Sequence, residues 1–341
     1  MIEVPHWYVL ELYKQDGAWL GQVSVEPDWI PALECTRLAA LRRGEAPEEA
    51  FTAAACIQPT WDAQIKEPCV AGFQVSLRLN GRPFTQEFRT TYFRQLAIKA
   101  SAFFVEQGRL AQGELFHYLV AAYPRSARAT LVGAAQEIAP HVPLGAGSLR
   151  SHLERSVPMG VVDAQDMPAF LPDELLGEVE ELTRAHSGLE VGGVLIGRLL
   201  RDARRPEVFV EVTAQIPLRT PGSVTRLSFT PEFWTDVQAA IALRRGEEIA
   251  LGYWHSHPVH AWRQEQNREC DSEQLGACTL ARDYFSEEDR LLLRAVFPRA
   301  YSLGLVVNDG PLGELSFSLF GWRQGLIQPR GFYLIRGAND A

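Results

Sequence analysis

The fold of the second half of the chain is decided by ten residues, Ile249-Ala250-Leu251-Gly252-Tyr253-Trp254-His255-Ser256-His257-Pro258. The apolar run before the histidines predicts a buried strand. Side chains of a strand alternate between its two faces, so His255 and His257 face the same side. A catalytic zinc site takes about three donors from the protein and water as the fourth. The two imidazoles are therefore either part of a zinc site or a structural pair.

Helices and strands alternate around this stretch. The apolar spacing predicts helices that begin near Pro172, Thr230 and Ser286. It predicts strands over residues 191–200, 208–216, 301–307 and 315–320. Alternating helices and strands with short connections are typical of an α/β domain, which we assign to residues 169–341.

The first 138 residues are predicted to form a separate small α+β domain, with a possible role in binding a partner or substrate. Residues 7–25 and the strands around Asn80-Gly81 are predicted hairpins. Helices are predicted over 33–43, 48–56, 92–107 and 112–123. Residues 139–168 are rich in proline and glycine, and we interpret them as the linker between the two domains.

Composition excludes several classes of protein. Lysine and arginine number 33 and aspartate and glutamate 42, a net charge of -9, with most of the excess after residue 150. A surface of this charge repels a phosphate backbone, so we expect no nucleic-acid partner. No run of 18 apolar residues and no basic, apolar leader occurs, and the five cysteines are irregularly spaced. We therefore expect no membrane association and a reducing, cytoplasmic location.

Two further motifs lie on either side of the histidine strand. Glu190 precedes the apolar, glycine-containing run over residues 191–197, and Ser286 and Asp289 open a predicted helix. Each motif has a structural interpretation of its own. Glu190 is then an exposed carboxylate at a strand start, and Ser286-x-x-Asp289 is a variant of the helix capping box. Capping by Asp289 does not prevent the same carboxylate from binding a metal.

Taken in this order, the three motifs resemble the JAMM (MPN+) family of zinc metalloproteases. That family's signature is a glutamate before a glycine-containing strand, then His-x-His-Pro, then Ser-x-x-Asp. Residues 229–232, which open the helix before the histidine strand, are also similar to those of bacterial members. The resemblance covers about residues 165–341. It implies an α/β catalytic domain with the MPN/JAB fold, a three-layer fold similar to that of cytidine deaminases.

The resemblance also implies a chemistry. His255, His257 and Asp289 are then the zinc ligands, Glu190 is the general base, and Ser286 donates to the oxyanion of the intermediate. The implied activity is that of an isopeptidase or peptidase that removes a ubiquitin-like protein from its conjugate or precursor. Implied partners are that ubiquitin-like protein and the E1-like or E2-like enzymes of a bacterial conjugation system.

The spacing departs from the family's pattern after the second histidine. The usual interval would put the third ligand at Arg268, which cannot bind zinc. The chain therefore has an insertion between Pro258 and Ser286, and we expect it to form one wall of a substrate channel. Asp271 and Asp283, which lie in the insertion, are rivals of Asp289 as third ligand. The insertion also contains three soft donors of a possible second, structural zinc site: His260, Cys270 and Cys278.

Other function classes remain alternatives to a protease. Many MPN proteins lack the metal ligands and act as scaffolds in complexes, and the four candidate residues argue against that role here. A nucleoside deaminase needs His-x-Glu with a Pro-Cys-x-x-Cys pair. His152-Leu153-Glu154 matches only the first of these. No Gly-x-Ser-x-Gly motif of a serine hydrolase is present.

Overall fold

A computed structural model describes residues 2–125, 142–219, 227, 229–244, 246–259, 261, 285–309 and 314–337 of the chain. The chain divides into two compact units. The first comprises Met1–His141 with Gln324–Leu326, and the second comprises Val142–Arg323 with Ile327–Ala341. Both units contain helices and sheets, so the predicted mixture of α and β structure is confirmed.

The first unit contains two sheets and three α-helices among the described residues. Its strands are β1 (Ile2–Glu3), β2 (His6–Lys14), β3 (Trp19–Val25), β4 (Ala55–Trp61), β5 (Val70–Leu79), β6 (Arg82–Arg89) and β7 (Phe116–Pro124). Its helices are α1 (Ile30–Arg42), α2 (Pro47–Thr52) and α3 (Arg94–Glu106), the last preceded by a short 3-10 helix over Thr90–Phe93. The strand orders are β1-β4-β5-β6 and β3-β2-β7.

Both predicted hairpins of this unit are confirmed, and one predicted helix is wrong. β2 pairs with β3, and β5 with β6 through a turn in which Asn80 and Gly81 have positive φ. Residues 112–123, predicted as a helix, instead contain strand β7, which pairs with β2 along its length. A short apolar run satisfies helical and buried-strand patterns equally, and pairing with β2 decides between them. The helix predicted over 48–56 ends at Thr52.

The second unit is built on one ten-stranded sheet of the described residues. Its strands are β8 (Leu144–Gly147), β9 (Ser156–Met159), β10 (Ala169–Pro172), β11 (Gly192–Asp202), β12 (Val208–Pro217), β13 (Ile249–His257), β14 (Leu303–Asp309), β15 (Leu315–Arg323), β16 (Leu326–Arg330) and β17 (Phe332–Ile335). Its helices are α4 (Leu149–Glu154), α5 (Asp173–Ala185), α6 (Pro231–Leu243) and α7 (Glu287–Val296). No helix in the described ranges is long and apolar enough to span a membrane.

Strand β13 lies in the middle of this sheet. The strand order is β16-β15-β14-β13-β11-β12-β10-β17-β9, and β8 also pairs with β11. β13 is antiparallel to β11 and parallel to β14. Its residues from Leu251 to His257 are all buried. Both of its neighbours therefore hold it rigidly, and the residues at its end have little freedom to move.

The segment predicted as a linker is instead part of the second unit. Strands β8, β9 and β10 lie within residues 139–168 or just beyond them, and all three belong to the ten-stranded sheet. A Cβ atom at Gly147 would lie 2.7 Å from Cζ of Phe209, so this glycine permits close packing. Pro158 lies on β9, the terminal strand of the order, where a residue without an N–H group is tolerated. The glycines and prolines thus serve close packing and a strand edge.

Two glycines at the start of β11 allow the strand to lie between β13 and β12. A Cβ atom at Gly192 would be 2.5 Å from the carbonyl oxygen of Trp254, and one at Gly193 would be 2.3 Å from that of Ile216. Real Cβ atoms do not approach backbone so closely. Glycine at both positions therefore permits the close pairing that brings the start of β11 beside His255.

Candidate metal centre

The two histidines of β13 lie side by side on one face of the sheet. The exposed fraction of each is 2%. Their ring centroids are 4.7 Å apart, and the Nε2 atoms of His255 and His257 are 2.9 Å apart. His255 stacks on Tyr253, two residues earlier on the same face, with 5.4 Å between ring centroids. The alternation of the strand thus produces the convergence predicted from the sequence.

Asp289, at the start of α7, completes a group of three potential metal ligands. Its Oδ1 atom lies 3.2 Å from Nε2 of His255, and its Oδ2 atom lies 3.8 Å from Nε2 of His257. One candidate ligand atom from each of the three residues lies within 4.8 Å of the others. The structure therefore brings together three residues that are 34 positions apart at most in sequence and lie on a strand end and a helix start.

Ser286 holds the Asp289 side chain in place through a capping box. The Ser286 hydroxyl donates to Oδ2 of Asp289 at 2.7 Å, and the Ser286 N–H donates to the same oxygen at 2.8 Å. The N–H of Asp289 donates in return to the Ser286 hydroxyl oxygen at 3.0 Å. Oδ2 is thus bound to the helix start, whereas Oδ1 is the nearer oxygen to His255. Capping and presentation of the carboxylate occur together.

The pKa shifts of His257 and Asp289 favour the protonation states that bind metals. Burial lowers the pKa of His257, which favours the neutral imidazole. Burial alone would raise the pKa of Asp289, but its interaction with His255 and the hydrogen bonds from His255 and Ser286 hold that pKa well below its usual range. An ionised carboxylate and a neutral imidazole are the forms that coordinate zinc.

Glu190 lies just before β11 and is buried, with an exposed fraction of 6%. Burial raises the pKa of its carboxyl to about 7. His255 opposes this rise, whereas the negative charges of Asp289 and Glu288 add to it. These interactions identify Glu190 as a neighbour of the candidate ligands. A carboxyl with a pKa near neutrality can both accept and release a proton at physiological pH.

Ser256, between the two histidines, fixes the backbone on both sides of Glu190. Its N–H donates to the carbonyl of Val191 at 2.8 Å, and its hydroxyl oxygen accepts from the N–H of Val191 at 3.0 Å. The hydroxyl also contacts the carbonyl oxygen of Leu189 at 3.5 Å. The residue that separates the histidines therefore ties their strand to the segment that carries Glu190. The sequence signal for this role was the middle position of His-Ser-His.

Asn308 is a second residue that the sequence analysis did not single out. It lies on β14 directly opposite His257 in the parallel pairing, and its exposed fraction is 4%. Nδ1 of His257 and Oδ1 of Asn308 are 3.2 Å apart. The predicted strand stopped at Val307, one residue short of it. A polar residue after five buried apolar ones was the available signal.

The three residues fit a divalent metal in donor type and spacing. Zinc binds imidazole nitrogen and carboxylate oxygen at about 2.0–2.2 Å, so two ligand atoms of a tetrahedral site lie about 3.3 Å apart. The distances of 2.9, 3.2 and 3.8 Å between His255, His257 and Asp289 scatter around that value. Nδ1 of His255 is buried and has no hydrogen-bond partner among the described residues. Three protein donors leave one position of a tetrahedral site open, as catalytic zinc sites do.

Several candidate residues lie outside the described part of the chain. These are the rival ligands Asp271 and Asp283 and the three donors of the possible second site, His260, Cys270 and Cys278. The predicted channel wall is in the same stretch. Cys35, Cys56 and Cys69 of the first unit are free thiols.

Comparison with known proteins assigns no family to the chain. No protein-family model and no curated protein sequence matches the chain. The solution structure of protein DSY2949 from Desulfitobacterium hafniense is similar to it, with 17% sequence identity, a TM-score of 0.29, and coverage of 50% of this chain and 92% of that chain. A likeness this weak carries no argument about function. The function proposed below therefore rests on the residues of the site and on the order of their motifs.

Proposed function

We propose that the chain is a zinc-dependent isopeptidase or peptidase of the JAMM (MPN+) class, with an MPN/JAB catalytic domain in its second unit. His255, His257 and Asp289 hold the zinc, and Glu190 is the general base. The substrate class is a ubiquitin-like protein joined to a target or to a short C-terminal extension.

One observation carries the proposal: a buried carboxyl with a pKa of about 7 interacts with a cluster of two buried histidines and one half-buried aspartate. Structural ion pairs also perturb pKa values, but they usually stabilise the charged carboxylate. Glu190 is shifted in the opposite sense. A shifted acid beside three metal-type donors with an open position is the pattern of a hydrolytic metal site. A scaffold protein does not need the protonation range of Glu190.

Zinc bound to these ligands would bring the pKa of its water towards neutrality and polarise a carbonyl group. The residues of the chain itself transfer a proton and orient the ligands. The Glu190 carboxylate accepts a proton from the attacking water at one oxygen and later delivers that proton to the leaving amine. The Ser256 contacts with Val191 and Leu189 hold the backbone on both sides of Glu190.

Ser286 serves the site first by orienting Asp289. A serine hydroxyl has one proton, and here it is donated to Oδ2 of Asp289. Donation to an oxyanion, the role implied by the resemblance, requires this hydroxyl to rotate away from the carboxylate. The backbone N–H of Ser286 also donates to Oδ2 and can keep Asp289 in place during that rotation. The two roles of Ser286 are therefore compatible.

The substrate class follows from the resemblance and from the chemistry of the site. The resemblance implies a substrate with a narrow, flexible C-terminal tail that can extend past the metal, as a ubiquitin-like protein has. We assign partner binding, to the ubiquitin-like protein or to E1-like and E2-like enzymes, to the first unit. A binding module without catalysis is the competing function.

Zinc analysis and turnover of one substrate test the proposal together. We expect about one zinc per chain. We also expect cleavage of a fusion in which a reporter peptide follows the C-terminus of a ubiquitin-like protein encoded in the same genome. A chelator should abolish cleavage, and added zinc should restore it. Full zinc content with no cleavage of any ubiquitin-like fusion would favour the binding module. Absence of zinc from the purified protein and failure to bind added zinc would contradict the metal centre itself.

A further inference from the structure

The hydrogen-bond partners of the two histidines of the candidate site differ. Nδ1 of His257 faces Oδ1 of Asn308 at 3.2 Å, whereas Nδ1 of His255 has no partner among the described residues. The Nε2 atoms of both rings face each other and Asp289. Only one of the two imidazoles therefore has an acceptor on the side away from the ligand cluster.

The chemistry of this acceptor fixes the position of a proton. An amide oxygen only accepts hydrogen bonds, so the contact with Asn308 requires the proton of neutral His257 to be on Nδ1. Nε2 of His257 then carries a lone pair that points into the cluster. The Nε2 atoms of the two rings are 2.9 Å apart, so this lone pair faces the other candidate ligands.

The position of Asn308 in the fold makes this contact rigid. In the parallel pairing of β13 with β14, His257 is opposite Asn308 and His255 is opposite Val306. Opposite residues of adjacent strands project to the same face of the sheet. Asn308 is buried near the end of β14, directly after the apolar residues Leu303 to Val307. A buried amide in such a strand is costly unless its hydrogen bonds are made.

We propose that Asn308 is a positioning residue that holds His257 in its Nδ1–H tautomer, so that Nε2 is preset as a metal ligand. His255 has no equivalent partner and is oriented by its stacking on Tyr253. This inference rests on the proposed metal centre for its purpose, but the tautomer itself is a property of the metal-free protein. Outer-shell partners of ligating histidines typically contribute 10–100-fold to metal affinity.

Two substitutions separate the acceptor from the shape of Asn308. N308D retains an acceptor oxygen at the same place, whereas N308L has the same branched arrangement of four side-chain heavy atoms, is larger, and has no acceptor. The full chain with ¹⁵N-labelled histidine, free of metal, is examined by NMR for the protonated nitrogen of His257. We expect Nδ1–H in the parent and in N308D, and loss of that preference in N308L. Circular dichroism of all three proteins controls for folding.

Zinc affinity, measured by competition with a chromophoric chelator, is the second readout. We expect N308L to weaken binding roughly 10–100-fold and N308D to bind at least as well as the parent. An unchanged His257 tautomer in N308L, or N308D as weak as N308L, would overturn the inference. If N308L fails to fold, parent and N308D still test it, because both must show Nδ1–H. A parent that binds no zinc contradicts the proposed function, whereas the tautomer result still decides the role of Asn308.

Discussion

Two regions of the second unit each place a glutamate near a buried histidine, with opposite consequences. His152 on α4 contacts Glu211 on β12, with 3.2 Å between Nε2 and Oε1, and Arg155 lies 3.4 Å from the same oxygen. The hydrogen bond from His152 lowers the pKa of Glu211 against the effect of burial. At the candidate metal centre, burial dominates and raises the pKa of Glu190 to about 7.

The two regions contain the same residue types, so their opposite pKa shifts come from the groups that surround each glutamate. Both nitrogens of His152 face oxygen atoms, those of the Ser148 carbonyl and the Glu211 carboxylate. Neither ring nitrogen of His152 therefore faces a group of metal-type donors. Nδ1 of His257 contacts Asn308, and its Nε2 faces the ligand cluster, 2.9 Å from Nε2 of His255. A histidine with a ring nitrogen directed at other metal-type donors remains available to a metal.

Removal of one histidine from each region is expected to give the largest difference between the two regions. We expect H257A to lose stoichiometric zinc, because two donors remain of three. H152A should retain one zinc per chain and lose roughly 1–3 kcal/mol of unfolding free energy, because Glu211 loses its main hydrogen bond. Elemental analysis and thermal unfolding of both variants measure these effects. Equal zinc content in H257A and the parent would contradict the proposed ligand.

Replacement of each glutamate by glutamine tests which of the two carboxylates takes part in catalysis. E190Q should retain zinc but lower kcat about 10²–10⁴-fold, since the amide cannot accept the proton of water. E211Q should cleave the same reporter fusion at the rate of the parent. Initial rates at saturating substrate, with zinc content checked for each protein, test the pair. If E190Q were as fast as E211Q, the base would have to be another group.

The third comparison is between two serines, each of which hydrogen-bonds to the backbone in one of the two regions. S256A removes the hydroxyl that contacts both sides of Glu190, and we expect a fall in kcat of roughly tenfold with unchanged zinc content. S148A removes the N-cap of α4, where the serine side chain accepts from Ser151. It should cost about 1 kcal/mol of stability with no loss of rate. Similar rates for both variants would show that Glu190 needs no support from Ser256.

A last effect concerns the pH dependence of stability in the metal-free protein. Glu190 has a raised folded-state pKa, so its contribution is present below its unfolded pKa, near 4.5, and is lost as the pH rises to about 7. Glu211 has a lowered pKa, so its contribution is present above the unfolded value and is lost on acidification. E190Q should therefore stabilise the protein at pH 8 and E211Q should destabilise it. Urea unfolding of both variants and the parent at pH 5 and pH 8 measures these changes in stability. If both variants changed stability with pH in the same way as the parent, the pKa shifts of Glu190 and Glu211 would be contradicted.

Strong local patterns were sufficient to predict most of the second unit. The apolar stripe after Pro172 predicted α5, and the runs around Val194, Val210 and Val306 predicted β11, β12 and β14. Patterns failed where pairing partners are distant in sequence. The glycine- and proline-rich segment around Gly147 joins the sheet beside Leu199–Asp202, about fifty residues later. No local pattern contains that contact.

The sequence by itself determined that His255 and His257 share a face, because alternation along a strand is a local property of the backbone. It also determined that Ser286 and Asp289 cap a helix, since both partners lie within one turn. The tertiary structure alone brought Asp289 to the histidines, raised the pKa of Glu190 by burial, and placed Asn308 opposite His257. These features depend on strands and helices that are separated in the chain and meet only when the sheet has formed, so no local pattern contains them, and only the family resemblance implied that Asp289 and Glu190 belong with the histidines.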